Sequence, residues 1–101
     1  MINLGRFKGT VIEYRCSKAY GFIKVTHIMN NGVESDLKAR YDDIFIYHKD
    51  IILPEGQTFQ KLIQGQITEF DMIRNKQGFK AINLKVIGDI YDEEGDINYN
   101  K

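Results

Sequence analysis

The chain has 101 residues, with 43% hydrophobic and 28% charged residues, the size and composition of one globular domain. Its longest apolar run, 44–47, falls far short of the ~20 residues of a membrane span, and Cys16, the single cysteine, has no partner for a disulfide. The balance of 14 Lys/Arg against 14 Asp/Glu is uneven along the chain: 13 basic and 9 acidic residues up to Gly88 leave a +4 body, and the remainder is −4.

In chain order, the first expected element is a strand over 8–15 (Lys-Gly-Thr-Val-Ile-Glu-Tyr-Arg). A second, over 19–29, alternates so that Tyr20 and Phe22 fall on one face and Ile23 and Val25 on the other. A third, over 44–48, sets Phe45 and Tyr47 opposite Ile44 and Ile46. A fourth and fifth, over 67–74 and 78–86, join through Asn75, Lys76 and Gln77 in a hairpin-like turn. Five short strands leave no room for a second sheet, and closing them on themselves removes the exposed edges. The expected class is therefore all-β, a five-stranded antiparallel oligonucleotide-binding barrel over 6–87; a sandwich would need about seven strands.

The alternation puts Tyr14, Tyr20, Phe22, Phe45 and Tyr47 opposite the aliphatic residues that fill the core. Two readings of this aromatic face stand. Flat bases stack on such rings at ~1–3 kcal/mol each, with Lys8, Arg15, Lys18, Lys24 and Lys49 beside them for phosphates. Alternatively the rings cover a second apolar surface such as a dimer interface, where aromatics are also enriched.

The string Lys18-Ala19-Tyr20-Gly21-Phe22-Ile23 resembles the first ribonucleoprotein motif of cold-shock domains, and Asp43-Ile44-Phe45-Ile46-Tyr47-His48 resembles the second. The similarity continues in order through Lys8-Gly9-Thr10-Val11, through Phe59-Gln60-Lys61-Leu62-Ile63-Gln64-Gly65-Gln66, and on to Phe70, Gly78 and Ala81-Ile82-Asn83-Leu84. It spans about 7–86. Cold-shock domains are oligonucleotide-binding barrels that bind single-stranded RNA or DNA, typically pyrimidine-rich, through this face. The resemblance implies stacking by Tyr14, Tyr20, Phe22, Phe45, Tyr47, His48 and Phe59, with Lys18 leading the first motif. The chain departs from the pattern in places: Glu13 stands where the family has tryptophan, Ile12 where it has a strand lysine, Tyr47-His48 where it has a histidine-phenylalanine pair, and Phe79 where it has a turn proline. Losing a tryptophan and a cation implies weaker binding at that end.

The segment 26–43 is longer than in compact family members. It holds Asn30-Asn31-Gly32, suited to the positive φ of a tight hairpin turn, so its flanks form either an extended hairpin arm or a loop between the second and third strands. As an arm it offers Lys38, Arg40 and Tyr41 to nucleic acid, or an edge to a second copy in a homodimer. The barrel should not need it for its core. The acidic stretch 88–101 carries Asp89, Asp92, Glu93, Glu94 and Asp96 and little apolar surface, the pattern of a mobile, dispensable tail.

Catalysis finds no constellation. Asp42-Asp43 and Glu93-Glu94 are sequence neighbours that a strand would point to opposite faces. With His27 and His48 the only histidines, no metal or cofactor site is expected. The residues point to a non-enzymatic protein, monomeric or homodimeric, that binds single-stranded RNA or DNA, and the resemblance to cold-shock domains implies action as an RNA chaperone or a modulator of translation or transcription. The alternative is a protein-interaction module of the same fold, a homodimer or an inhibitor. The stretch 1–9 has no apolar core of a signal peptide, and with the lone thiol this points to the cytoplasm, with no membrane partner.

Overall fold

The computed structural model describes residues 1–37 and 39–88. Its strands in chain order are β1 (Ile2–Arg15), β2 (Tyr20–Asn30), β3 (Val33–Asp36), β4 (Ile44–Tyr47), β5 (Ile67–Asn75) and β6 (Gly78–Gly88), with one 3-10 turn, His48–Asp50, after β4. No helix among the described residues is long and apolar enough to cross a membrane. Neighbours run β1-β5-β6-β4-β2, and β2 pairs back onto β1, so five strands close a ring; β3 is appended to β2. The expected five-stranded all-β closure is what forms. It is not wholly antiparallel, because β4 and β6 pair in parallel through Phe45↔Lys80 and Ile46↔Ala81. An odd number of strands cannot alternate direction all the way round a closed ring, so at least one pairing must be parallel.

The first strand begins at Ile2 rather than at Lys8. Ile2 and Asn3 already pair with Arg74 and Ile73 of β5, and β1 goes on to pair with β2 from Arg6 to Arg15. Inward-facing Val11, Ile23, Ile44, Ile46, Phe70, Met72 and Leu84 are essentially inaccessible, and Leu62, from the connection before β5, joins them. Burying such side chains contributes ~1.5–3 kcal/mol each. The one fully buried polar side chain named in this core, Thr68, donates its hydroxyl to the Gly9 carbonyl at 3.0 Å, which removes the cost of leaving it unpaired.

The inserted segment is a hairpin. β2 runs on to Asn30, the chain reverses at Asn31 and Gly32 with φ of 53° and 81°, and β3 returns in the register His27↔Asp36 to Asn30↔Val33. Two consecutive positive φ values are what a two-residue hairpin turn requires. Along one edge of β2, then, β4 occupies Tyr20 to Ile23 and β3 occupies His27 to Asn30. The Val25 N–H donates to the Tyr41 carbonyl at 3.1 Å between them.

The expectation that the barrel's core needs nothing from 26–43 is corrected here. Ile28, Leu37 and Tyr41 pack against the core. Tyr41 meets Phe7 edge-on at 6.0 Å and Phe79 edge-on at 5.4 Å between ring centres. The returning chain thus sets an aromatic side chain between β1 and the start of β6. Lys38 and the tail 89–101 lie outside the described residues.

Candidate nucleic-acid interface

The site is built on four residues that pair across two strands. Register places Phe22 opposite Phe45 and Tyr20 opposite Tyr47, while Gly21 and Ile23 lie opposite Ile46 and Ile44. Strand alternation turns the second set into the core and the first set outward. Ring centres are 5.9 Å apart for Tyr20 and Phe22, 5.5 Å for Tyr20 and Phe45, 6.0 Å for Phe22 and Phe45, and 6.4 Å for Phe45 and Tyr47, whose planes are nearly parallel at 12°. His48 extends the set, its ring 4.6 Å from that of Tyr47. The five rings support one another edge-on, tilted and, for Phe45 and Tyr47, with parallel planes. Tyr47 remains 36% exposed.

One end of this platform is held by the turn after β1. The Ala19 N–H donates to the Arg15 carbonyl at 2.7 Å, Ala19 takes a positive φ of 60°, and its carbonyl accepts the His48 N–H at 2.9 Å. The turn that carries Lys18 is thereby tied to the segment that carries His48. Beside it, Arg15 lies over the Tyr20 ring at 5.8 Å and donates to the Tyr20 hydroxyl at 3.4 Å. Its Nε also donates to Glu13 at 2.9 Å.

Tyr14 is not on the platform. A β-bulge between Val11 and Glu13 shifts the register, so Glu13 pairs with outward Phe22 and Tyr14 with inward Gly21. One extra residue exchanges the faces of everything beyond it. The Tyr14 ring packs against the core, its hydroxyl is buried without a hydrogen-bond partner among the described residues, and burial, with a smaller contribution from Cys16, pushes its phenol above the ordinary tyrosine range. Gly21 is required at this crossing, because a Cβ there would fall on the Glu13 carbonyl and within 2.9 Å of the Tyr14 Cα. The same bulge carries Glu13 and Arg15 outward together, where they pair.

The remaining anticipated contacts divide. Lys24 follows Tyr20 and Phe22 on the outward face of β2, and Lys18 and Lys49 are exposed at the turn and beside His48. None of these three forms an ion pair among the described residues. Lys8 is drawn away to the arm, where its ammonium pairs with Glu34. Arg40 pairs with Asp42 at 2.8 Å and Tyr41 is taken up between Phe7 and Phe79; Lys38 lies outside the described residues. Phe59 sits in the connection between the 3-10 turn and β5, 51% exposed and without a ring contact to the platform among the described residues.

Lys80 belongs to this surface although the sequence reading passed over it. The parallel register sets it beside Phe45, and Asp50 holds its ammonium at 3.1 Å. Nothing local announces that position, since the pairing joins residues far apart in the chain.

A closed five-strand β ring with cross-paired aromatic side chains facing out from its second and fourth strands has the fold and surface of a cold-shock type oligonucleotide-binding barrel. Over 83 residues the chain is 34% identical to a cold shock-like protein of Aquifex aeolicus (strain VF5), an alignment covering 82% of this chain and 97% of that protein. The chain belongs to the cold-shock-like protein family. No family model matches it.

Proposed function

We propose that this protein binds single-stranded RNA or DNA on the platform of Tyr20, Phe22, Phe45, Tyr47 and His48, and does no chemistry on it. The observation that carries the reading is the pair of cross-strand aromatic contacts, Tyr20 and Phe22 each against Phe45, that stand half-buried on an outward face, when full burial of that apolar area would further stabilise the fold. Bases stack on ring faces almost regardless of identity. Lys18, Lys24 and Lys49 flank the rings for phosphates. A strand held this way is kept single, which is the action of an RNA chaperone or of a modulator of translation or transcription in the cytoplasm, and pyrimidine-rich segments are the preferred ligands by family likeness.

The rival reading, a homodimer through the arm, has an available edge, since β3 pairs only with β2 among the described residues. That edge carries Glu34 and Asp36 on a four-residue strand. Antiparallel self-pairing brings these carboxylates together, and like charges across strands destabilise a pair.

Because the chain has no tryptophan, tyrosine fluorescence reports on Tyr20 and Tyr47 as bases cover them. Titration with a short oligo-pyrimidine should quench it. Phe22→Ala and Phe45→Ala should each weaken binding by ~1–3 kcal/mol with little change in melting temperature. Wild-type protein that binds no oligonucleotide, or Ala variants that bind equally well, overturns the proposal.

A further inference from the structure

The charge of this chain is divided in a way that the fold makes pointed. The body up to Gly88 carries +4 and the residues 89–101 carry −4. Within the body, Lys18, Lys24 and Lys49 are exposed beside the platform and form no ion pair among the described residues. Topology brings the acidic segment out at their end of the ring. β6 runs parallel to β4, so it heads for the end at which β4 gives way to His48 and Lys49 and at which Lys18 precedes the start of β2. Pairing measures how near its last residue comes. Thr10 pairs with Lys24 on one side and with Ile67 on the other, and Ile67 pairs with Gly88; three strand spacings amount to ~14 Å. On the other flank Ile51 bridges to Leu84, and from Leu84 to Gly88 is ~13 Å of strand. Extended, the segment 89–101 reaches ~43 Å, ample for either route to the platform.

A single strand of nucleic acid presents flat rings and negative charges in succession. The segment 89–101 carries the same two kinds of group, with rings at Tyr91 and Tyr99 and carboxylates at Asp89, Asp92, Glu93, Glu94 and Asp96. We propose that this segment occupies the platform of its own chain when no nucleic acid is bound, its carboxylates on Lys18, Lys24 and Lys49 and its tyrosines on the exposed rings. The proposal rests on the platform reading above and adds an internal competitor to it. Each exposed ion pair is weak in water. Tethering, however, supplies the segment at an effective concentration of the order of millimolar, so millimolar affinity suffices to fill the platform half of the time. The consequence is a threshold: every incoming strand must displace the segment, and the threshold falls as salt screens the pairs.

The full chain offers its own probe, because Cys16, its one cysteine, is exposed on the turn that carries Lys18. A nitroxide attached there should broaden the amide NMR signals of 89–101 in the free protein at low salt. A short oligo-pyrimidine, or high salt, should restore them. In a mixture of labelled chains with isotope-enriched unlabelled ones no broadening should appear; if it does, a second copy is the source and the proposal is overturned. A full-chain variant with Asp89→Asn, Asp92→Asn, Glu93→Gln, Glu94→Gln and Asp96→Asn should lose the broadening and bind oligo-pyrimidine about 3- to 10-fold more tightly at low salt, an advantage that vanishes at high salt. Tyr91→Ala with Tyr99→Ala leaves the charge unchanged and should tighten binding about 2- to 3-fold, which loss of charge alone does not explain. If wild type binds and Phe22→Ala weakens it, yet 89–101 stays sharp beside the label or the amide variant binds no tighter, the proposal fails and the platform stands. If the segment broadens but the oligonucleotide neither binds nor restores its signals, the platform reading fails and the docked segment stands.

Discussion

The two halves of β2 share one strand and are used in opposite ways. From Tyr20 to Ile23 the strand is paired on both edges, with β1 and β4, its inward residues are sealed, and its outward rings are only half-buried. From His27 to Met29 it is again paired on both edges, now with β1 and β3, yet the contributions run inward: Ile28 packs on the core, and so do Leu37 and Tyr41 of the returning chain. The first half keeps apolar surface exposed where stability would favour covering it. The second half, the part that looks like an appendage, supplies cover to the core. Half-exposed rings on a well-paired strand are what the proposed binding surface would use, whereas an insertion whose aromatic side chain packs on the core is part of the fold.

The largest expected effect breaks this contrast at Tyr41. Replacing it with alanine removes a half-buried ring from between Phe7 and Phe79, and by the scale of large-to-small substitutions it should cost about 2 kcal/mol, less than the ~3–5 of a fully buried aromatic. Denaturant unfolding would measure it. Exchanging 26–43 for a short turn should cost at least as much, because Leu37 and Ile28 leave their packing too. A variant as stable as wild type would show that the second half of β2 is an appendage after all.

What was legible in the sequence was the regular part. Over 20–25 and 44–47 the alternation is unbroken, so period two alone assigns Phe22 and Phe45 outward and Ile23 and Ile46 inward. Tyr14 defeated the same rule because a bulge at Ile12 leaves no trace in the pattern of apolar residues, and one inserted residue reverses the faces beyond it. Tyr41 and Lys80 were opaque for another reason. Their partners, Phe7, Phe79 and Phe45, are set by closure of the ring, and closure pairs residues whose separation in the chain carries no local signal. The departure at Glu13, by contrast, was visible from the start; its consequence, a carboxylate drawing on Arg15 at the edge of the platform, needed the bulge to appear.

That pairing sets the second prediction, which sharpens the platform's side of the comparison. With Lys18, Lys24 and Lys49 as the flanking cations that form no ion pair among the described residues, each phosphate contact adding ~0.7 to the slope on single strands, log affinity against log salt should fall with a slope of about −2. Glu13→Gln releases Arg15, which should raise affinity at low salt and steepen the slope by roughly 0.7. Titrations at several salt concentrations decide it. A steep slope in wild type would mean that charge rather than stacking dominates, and that the half-buried rings are not the principal feature of this half.

The smallest effect concerns the joint between the two halves, where Lys8 of β1 pairs with Glu34 of β3. The Glu34 carboxyl is pulled below its ordinary value chiefly by the hydrogen bond from Lys8, with burial opposing and the charges of Lys8 and His27 assisting. A carboxyl lowered in the folded state adds stability that is complete above the unfolded value and is lost as pH falls through the folded one. Acidification should therefore loosen β3 before the ring opens, seen as faster hydrogen exchange at Val33 to Asp36 than along β4. Lys8→Met should return Glu34 to the ordinary carboxylate value in an NMR titration. At neutral pH the same variant separates the halves. If Lys8 serves only the arm, oligonucleotide affinity is unchanged; if affinity falls, Lys8 reaches a phosphate as well, and the platform and the arm are parts of one surface.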